Sequence, residues 1–487
     1  MAALFQAMAE KSKSENALAY VKNYPQEKVK LAITDIDGIL RGKVIHRDKF
    51  FSVLENGFGF CDVVFGWDSG DVAYDNTTFT GWHSGYPDAN AKIDVSTFRK
   101  VPWDNDIPFF LADFVDENGK PSHVCPRNLL KKIREQSITA GFNPVFSQEF
   151  EWFNFAETPE SLANKNYIKP QPLTPGMFGY SILRSSLKSD FFNALFDNLK
   201  KFDVPIEGLH TETGPGVYEA AILYGDILVS ADRATLFKTG VKEIAQRQSL
   251  VPPPLGGGAA KHKRSAAKKI QQQYGIMASF MAKWNENLPG CSGHVHQSLW
   301  DAKKNLFYDA KDKFHMSEVM KSYVAGQLHC LPHILPLFAP TINSYKRLVE
   351  GAWAPTTVTW GMDNRTTALR VLTGGEKSAR LETRVVGSDV NPYLAMAGCL
   401  ASGLYGVKKK MKLSQLQTLG NGYRDEKYGT LPRNLWDATQ AMKNSSVAKE
   451  LFGEKFVEHF TQTREWEWRQ FSKAVTDWEM KRYFEII

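Results

Sequence analysis

The sequence is poor in the features that mark secreted, membrane-spanning or thiol-based proteins. Its 487 residues hold five cysteines, Cys61, Cys125, Cys291, Cys330 and Cys399, scattered and without a Cys-x-x-Cys pair. That arrangement offers no thiolate zinc site and no dithiol redox pair, and an odd count does not suggest a disulfide framework. No apolar run is long enough to span a bilayer, and the opening MAALFQAMAEKSKSENALAY lacks the apolar core of a signal peptide. A reducing, cytoplasmic setting is expected. No repeat of fixed period occurs, which argues against solenoids. A Gly-x-x-x-x-Gly-Lys-Ser/Thr loop is missing, which argues against a P-loop enzyme. Part of the net charge of +7 sits in one short run, so neither a nucleic-acid-binding fold nor a membrane partner is expected.

What is present is an ordinary globular balance of 43% hydrophobic and 23% charged residues, with 12% aromatics for large cores. The length suits two or more domains. Residues 29–45, VKLAITDIDGILRGKVI, predict a β-hairpin, because strand formers flank an Asp-Gly turn pair. AKIDVSTF and IPFFLADFVD predict further strands. PRNLLKKIREQSITAGF then starts as a helix, with Pro126 in its first turn and Gly141 at its end. We therefore expect an N-terminal helical extension over 1–26, a small β domain over 27–122 and a larger domain over 123–487. In the larger part, strands alternate with helices near 189–202 and 232–247, and the C-terminal third is mostly helical. The whole is an α+β chain. One segment breaks the pattern: SLVPPPLGGGAAKHKRSAAKKIQQQ, residues 249–273, is a basic Pro/Gly-rich insertion that suits an exposed loop.

Four short stretches carry chemistry. In LHTETGPGVYEAA, Glu212 and Glu219 bracket a Gly-Pro-Gly turn. Seven residues apart on one strand, they would face opposite ways. If the turn folds the chain into a hairpin, Glu212 lies opposite Val217, and Glu219 joins the same face at a diagonal of roughly 7–8 Å or less. In SQEFEWF, Glu149 and Glu151 share one face while Phe150 and Trp152 take the other. His294 and His296 share a face in SGHVHQS, as do Arg380, Glu382 and Arg384 in ARLETR. Each pattern alone describes a solvated strand face. Four together, each beside bulky apolar residues, predict a converging set, because isolated charges are costly to bury. Five glutamates with one histidine favour Mg²⁺ or Mn²⁺ over zinc. Arginines suit phosphate. Together they point to phosphoryl transfer from a nucleotide.

EFEWF, HTETGPGVYEAA, GHVHQS, NSYKRLV, DNRTTALR and ARLETRVVGSDVNPYLA occur in that order over residues 147–397. Together they resemble the signature blocks of the glutamine synthetase family. The resemblance implies an N-terminal β-grasp domain and a catalytic domain built on a curved antiparallel, half-barrel-like sheet backed by helices. It implies a carbon–nitrogen ligase in which ATP phosphorylates the side-chain carboxylate of glutamate and an amine displaces the phosphate. Two or three divalent ions, Mg²⁺ or Mn²⁺, are implied with it. Matching positions make Glu151, Glu212 and Glu219 ligands of one ion, and Glu149, His294 and Glu382 ligands of another. Arg347, Arg384 and Gly290 match substrate contacts, with Glu151 helping through its ion. His296, Ser298, Arg365, Arg370 and Arg380 match nucleotide contacts. A ring-shaped homo-oligomer, a dodecamer or alternatively a decamer, is also implied, with each site between neighbouring subunits.

The sequence departs from the ammonia-using pattern in two places. The flap RLVEGAWAP carries Trp353 where those members have a glutamate, and Glu350 lies three residues early. The ammonium-binding loop is replaced by VFGWDSGDVAYD, with Asp68 and Asp71 in a different register. Trp353 and Asp68 join Arg365 and Arg384 as candidate catalytic residues. An indole can stack on a larger amine or attract its cation, so a glutamate–amine ligase is expected. A true glutamine synthetase using ammonia and a non-catalytic structural relative are the alternatives.

Overall fold

The computed structural model describes residues 14–247 and 275–487. The basic insertion 249–273 and the first half of the expected N-terminal extension lie outside the described residues; from the latter, a helix over 14–23 is described.

Two sheets organise the chain. The first contains β1 (Lys28–Thr34), β2 (Leu40–His46), β3 (Phe58–Cys61), β4 (Asp88–Val101) and β5 (Ile107–Val115), in the order β2-β1-β5-β4-β3. β1 and β2 form the expected hairpin, with Gly38 at φ +82° in the turn. β1 pairs in parallel with β5, and the other pairs are antiparallel. β5 is buried along nearly its whole length, which explains why its sequence is almost continuously apolar.

The helix Pro126–Thr139 leads to the second sheet. This contains β6 (Asn143–Phe155), β7 (Ile206–Thr211), β8 (Val217–Ile222), β9 (Gly225–Asp226), β10 (Met277–Ser279), β11 (Gly293–Trp300), β12 (Trp360–Met362), β13 (Leu369–Leu372) and β14 (Arg380–Thr383). The main path runs β12-β13-β14-β11-β6-β8-β7, antiparallel except for β12–β13, and curls into a half-barrel. The long strand β6 is its spine.

Helices Ile227–Arg247, Glu318–Ile334 and Pro392–Lys408 back the sheet. Phe237 of the first stacks on Phe150 with ring centres 5.8 Å apart. The third is buried over most of its circumference, as expected for a helix that is apolar all round. One hydrophobic cluster runs from Ala17 through both sheets to Phe460, so the two sheets share a core. A buried ionic knot reinforces the junction. Arg127 gives two hydrogen bonds to Asp232, at 2.8 and 2.9 Å, and one each to Asp94 at 2.9 Å and Asp113 at 2.7 Å.

A second polar network lies behind the large sheet. Gln297 donates to Thr383 at 2.7 Å, and its carbonyl oxygen accepts from Gln327 and Tyr323, each at 2.7 Å. This buried set locks β11 to β14 and to the helix behind them, which fixes the side chains on the opposite face.

Candidate active site

The alternation in β6 does the positioning. Phe146, Gln148, Phe150 and Trp152 are at most 1% exposed and face the core. Glu149 and Glu151 therefore share the other face. The register then brings the remaining groups alongside. On one flank, Glu149 is opposite His294 of β11, and His296 is opposite Glu382 of β14, which is opposite Arg370 of β13. On the other, Glu151 is opposite Glu219 of β8, and Glu219 is opposite His210 of β7.

Side-chain contacts follow the register. His294 Nδ1 lies 3.6 Å from Glu149 and 3.3 Å from Glu382, and His296 Nε2 lies 3.6 Å from Glu149. Arg370 reaches Glu382 at 2.8 Å, and Arg384 forms a second ion pair with the same carboxylate. Burial opposes the charge on Glu382, but His296, His294, Arg384 and Arg370 outweigh it and hold its pKa down to about 2. Burial and the Arg384 charge push His294 down to about 4, so the imidazole is neutral near neutrality, as a metal ligand must be.

The other flank is built by the Gly-Pro-Gly turn. Glu212 N–H donates to Val217 at 2.9 Å, which closes the hairpin as expected. Gly216 has φ +70°, and a Cβ there would sit 2.3 Å from the Asn154 carbonyl oxygen, so only glycine fits. Glu212 and Glu219 then meet around His210, whose Nε2 is 3.1 Å from Glu219 and whose Nδ1 is 3.7 Å from Glu212. Burial, with the charges of Glu149 and Glu151, pushes Glu219 up to about 8 despite its bond to His210. Glu151 rises to about 7, through burial and the Glu212 charge. His210 was not among the sequence candidates. Its signal was present: HTE places it two residues before Glu212, the same alternation that singled out EFE and HVH.

The arginines divide into bound and free. Arg347 is 1% exposed; it donates to Ser292 at 3.1 Å and to the Val385 carbonyl at 2.5 Å. Ser292 N–H in turn donates to Glu151 at 2.8 Å. Gly290 underlies Arg347, where a Cβ would lie 2.7 Å from Arg347 Cγ. Arg380 donates to His296 Nδ1 at 3.2 Å. Arg365 is exposed, its carbonyl accepts from Arg384 at 3.0 Å, and its guanidinium makes no hydrogen bond to the described residues. A cavity of about 430 Å³ opens beside Glu149, lined by His296, Ser298, Lys377 and Arg380 among others. Its size lies within the range of small-molecule sites.

Two candidates stand apart. Asp68 is not joined to the cluster: its carboxylate accepts from Gly70 and Val72 N–H in its own turn and from Trp466 at 2.9 Å. The turn geometry and the Trp466 indole use its oxygens locally. Trp353 lies in the segment after Arg347, 57% exposed and at φ +56°, with no aromatic partner among the described residues. Glu350, three residues before it, pairs with Arg424 at 2.9 Å.

The residues fit divalent cations. Ligand atoms of His210, Glu212 and Glu219 come within 4.8 Å of one another. Buried Glu212 Oε2 and His294 Nε2 have no hydrogen-bond partner among the described residues. Glu151, Glu212 and Glu219 gather three acids against one imidazole and no directly paired arginine, an excess of negative charge that a bound cation would neutralise. The donor set is mostly oxygen, as Mg²⁺ and Mn²⁺ prefer.

A family model described as glutamine synthetase, catalytic domain, matches residues 123–251 and 259–483. Type-1 glutamine synthetase 2 of Dictyostelium discoideum is 53% identical over 98% of this chain and 88% of its own length. A glutamate–isopropylamine ligase of a Pseudomonas species is 34% identical over 96% of this chain and 97% of its own. The solved structure of a GmaS/ADP complex superposes with a TM-score of 0.77 at 24% identity, covering 96% of this chain and 99% of that one.

Proposed function

We propose a function from one premise: the chain belongs to the glutamine synthetase family. It ligates the side-chain carboxylate of glutamate to nitrogen at the expense of ATP, and its acceptor is a primary amine larger than ammonia. The observation that carries the finer claim is Trp353, an exposed indole in the segment that follows Arg347, where a carboxylate would suit ammonium. A relative that takes isopropylamine by name, alike over nearly the whole chain, supports the same class.

Glu149, His294 and Glu382 would hold one divalent ion, and Glu151, Glu212 and Glu219 another. Bound there, Mg²⁺ or Mn²⁺ supplies charge neutralisation for phosphoryl transfer. The chain's own groups do the rest. Arg365, Arg370 and Arg380 neutralise phosphate charge as the γ-phosphoryl group moves to the glutamate carboxylate. His296 and Ser298 line the side from which the nucleotide enters. Arg347 and Arg384, with Gly290 keeping backbone close, orient the glutamate. The half-barrel keeps water from the acyl phosphate until the amine displaces phosphate. Asp68 would act only from a neighbouring copy, in a closed ring whose subunits complete one another's sites.

The second reading, ammonia as acceptor, is favoured by the name of the 53% identical relative. Phosphate release with ATP and glutamate decides between them, measured with ammonium, methylamine, ethanolamine, putrescine and spermidine. We expect one of the organic amines to give the highest kcat/KM. Ammonium as the best acceptor sinks the amine assignment. No turnover with any acceptor would favour a non-catalytic relative.

A further inference from the structure

A second cavity, of about 360 Å³, lies in the N-terminal sheet, away from the cluster on β6. It forms where β3 ends, β4 begins and β5 turns out of the sheet. Asp62 follows β3, Asp88 opens β4, and Asp116 and Glu117 follow β5; all four line it. None of the four forms an ion pair with the described residues, although the chain as a whole carries a charge of +7. No lysine or arginine lines the cavity, and its one basic group is His123.

Two buried polar groups face this space without full partners. Ser122 is 8% exposed, lines the cavity, and its hydroxyl has no hydrogen-bond partner. Asp62 is 7% exposed and spends one oxygen on the Thr80 hydroxyl at 2.7 Å; no described residue bonds the other. Burial and the Asp88 charge raise the Asp62 pKa, the mark of a carboxylate short of a counter-ion. A buried hydroxyl left unmet is costly unless a ligand or water completes it, and the open Asp62 oxygen can accept from the same ligand.

The rest of the lining identifies the ligand class. Phe65, Phe79 and Phe114 supply aromatic surface. Bare metal ions need oxygens that converge on a point, and among the described residues the metal-compatible cluster is His210, Glu212 and Glu219, not these four acids. Separated carboxylates around aromatic rings suit instead an organic cation, with its ammonium groups on the acids and its hydrocarbon on the rings.

We propose that this N-terminal cavity is a binding site for an aliphatic amine, separate from the catalytic centre. The inference stands whichever acceptor the catalytic centre uses, because it rests on different residues.

Hydrogen–deuterium exchange of the full chain tests it, with 1,4-diaminobutane as the probe and uncharged 1,4-butanediol and MgCl₂ as controls. The diamine should slow exchange in segments 58–66 and 113–123, whatever it does at 147–153 and 209–221. The double variant Asp88→Asn, Glu117→Gln alters two exposed side chains. It should keep the wild-type melting temperature and need at least tenfold more diamine for the same protection at 58–66 and 113–123. The proposal is overturned if those segments show no protection. It is equally overturned if the variant is protected at the wild-type concentration, or if butanediol or Mg²⁺ alone reproduces the effect.

Discussion

Two groups of buried charge in this molecule each gather three acids around a base, to opposite ends. Around Arg127, three aspartates and one guanidinium close on themselves, with Lys131 adding a bond to Asp113 at 2.5 Å. Around Glu151, Glu212 and Glu219, three acids meet one imidazole, and Glu212 keeps a buried oxygen without a partner. The first group sets two permanent cations, Arg127 and Lys131, against three acids, leaves Asp113 Oδ1 without a hydrogen bond, and ties the two sheets together. The second is left incomplete and invites a ligand. Permanent counter-charge separates a structural ionic knot from a site, whereas burial or a single unmet oxygen does not.

The contrast can be broken by mutation, beginning with the knot. Arg127→Leu leaves Asp94, Asp113 and Asp232 buried without their counter-ion and should cost about 3–5 kcal/mol, read as a lowered urea midpoint. A near-neutral result would mean the junction is held by the shared apolar core alone. Glu382→Ala should act on catalysis first. Turnover should fall on the order of 10²–10³-fold, as when one group that stabilises transition-state charge is lost, with assembly kept and the melting temperature lowered, because Arg370 and Arg384 lose their buried counter-ion. Retained turnover would remove Glu382 from the machinery.

Metal addition sharpens the comparison next. Mg²⁺ at 100 times its Kd should stabilise the wild type by about 2.7 kcal/mol, and an Arg127 variant should gain the same increment. An unchanged melting curve with Mg²⁺ and with Mn²⁺ would sink the ion assignment. Acid acts on the knot as well as on Glu382 and His294. Burial opposes ionisation of Asp94, but Arg127 and Lys131 outweigh it and hold the carboxyl well below its usual range. Its contribution is therefore present above the unfolded value of about 3.9 and lost as pH falls through the lower folded value. Asp94→Asn should flatten that loss in denaturation curves below pH 4. The smallest effect comes from Glu219→Gln in metal-free protein. Measured above pH 8, where Glu151 and Glu219 are both ionised, removing one of three crowded charges should stabilise by roughly 1 kcal/mol, whereas an ordinary buried ion pair would lose stability.

Much of this was legible along the chain. Glu149 with Glu151, and His294 with His296, lie two apart, so the period of a strand assigned their common faces before any fold was known. The turn glycines foretold the Glu212–Glu219 hairpin, because their positive φ angles need them. His210 was equally visible and was passed over, since one histidine beside two glutamates stands out less than a repeated pattern. Asp68 shows a different limit of local pattern. It stands near the place of a binding loop in a different register, while within the chain its partners, Gly70, Val72 and Trp466, include one that is 398 residues away.

The sequence by itself determined the local facts: which residues alternate, where the chain turns, and which side chains could bind a cation or a phosphate. Those follow from backbone geometry acting over a few residues. Only the tertiary structure decided which strands lie side by side, and so which acids meet an arginine and which are left with one another. Strand order is set by burial of apolar faces across the whole chain, and charge compensation depends on neighbours that no local pattern encodes.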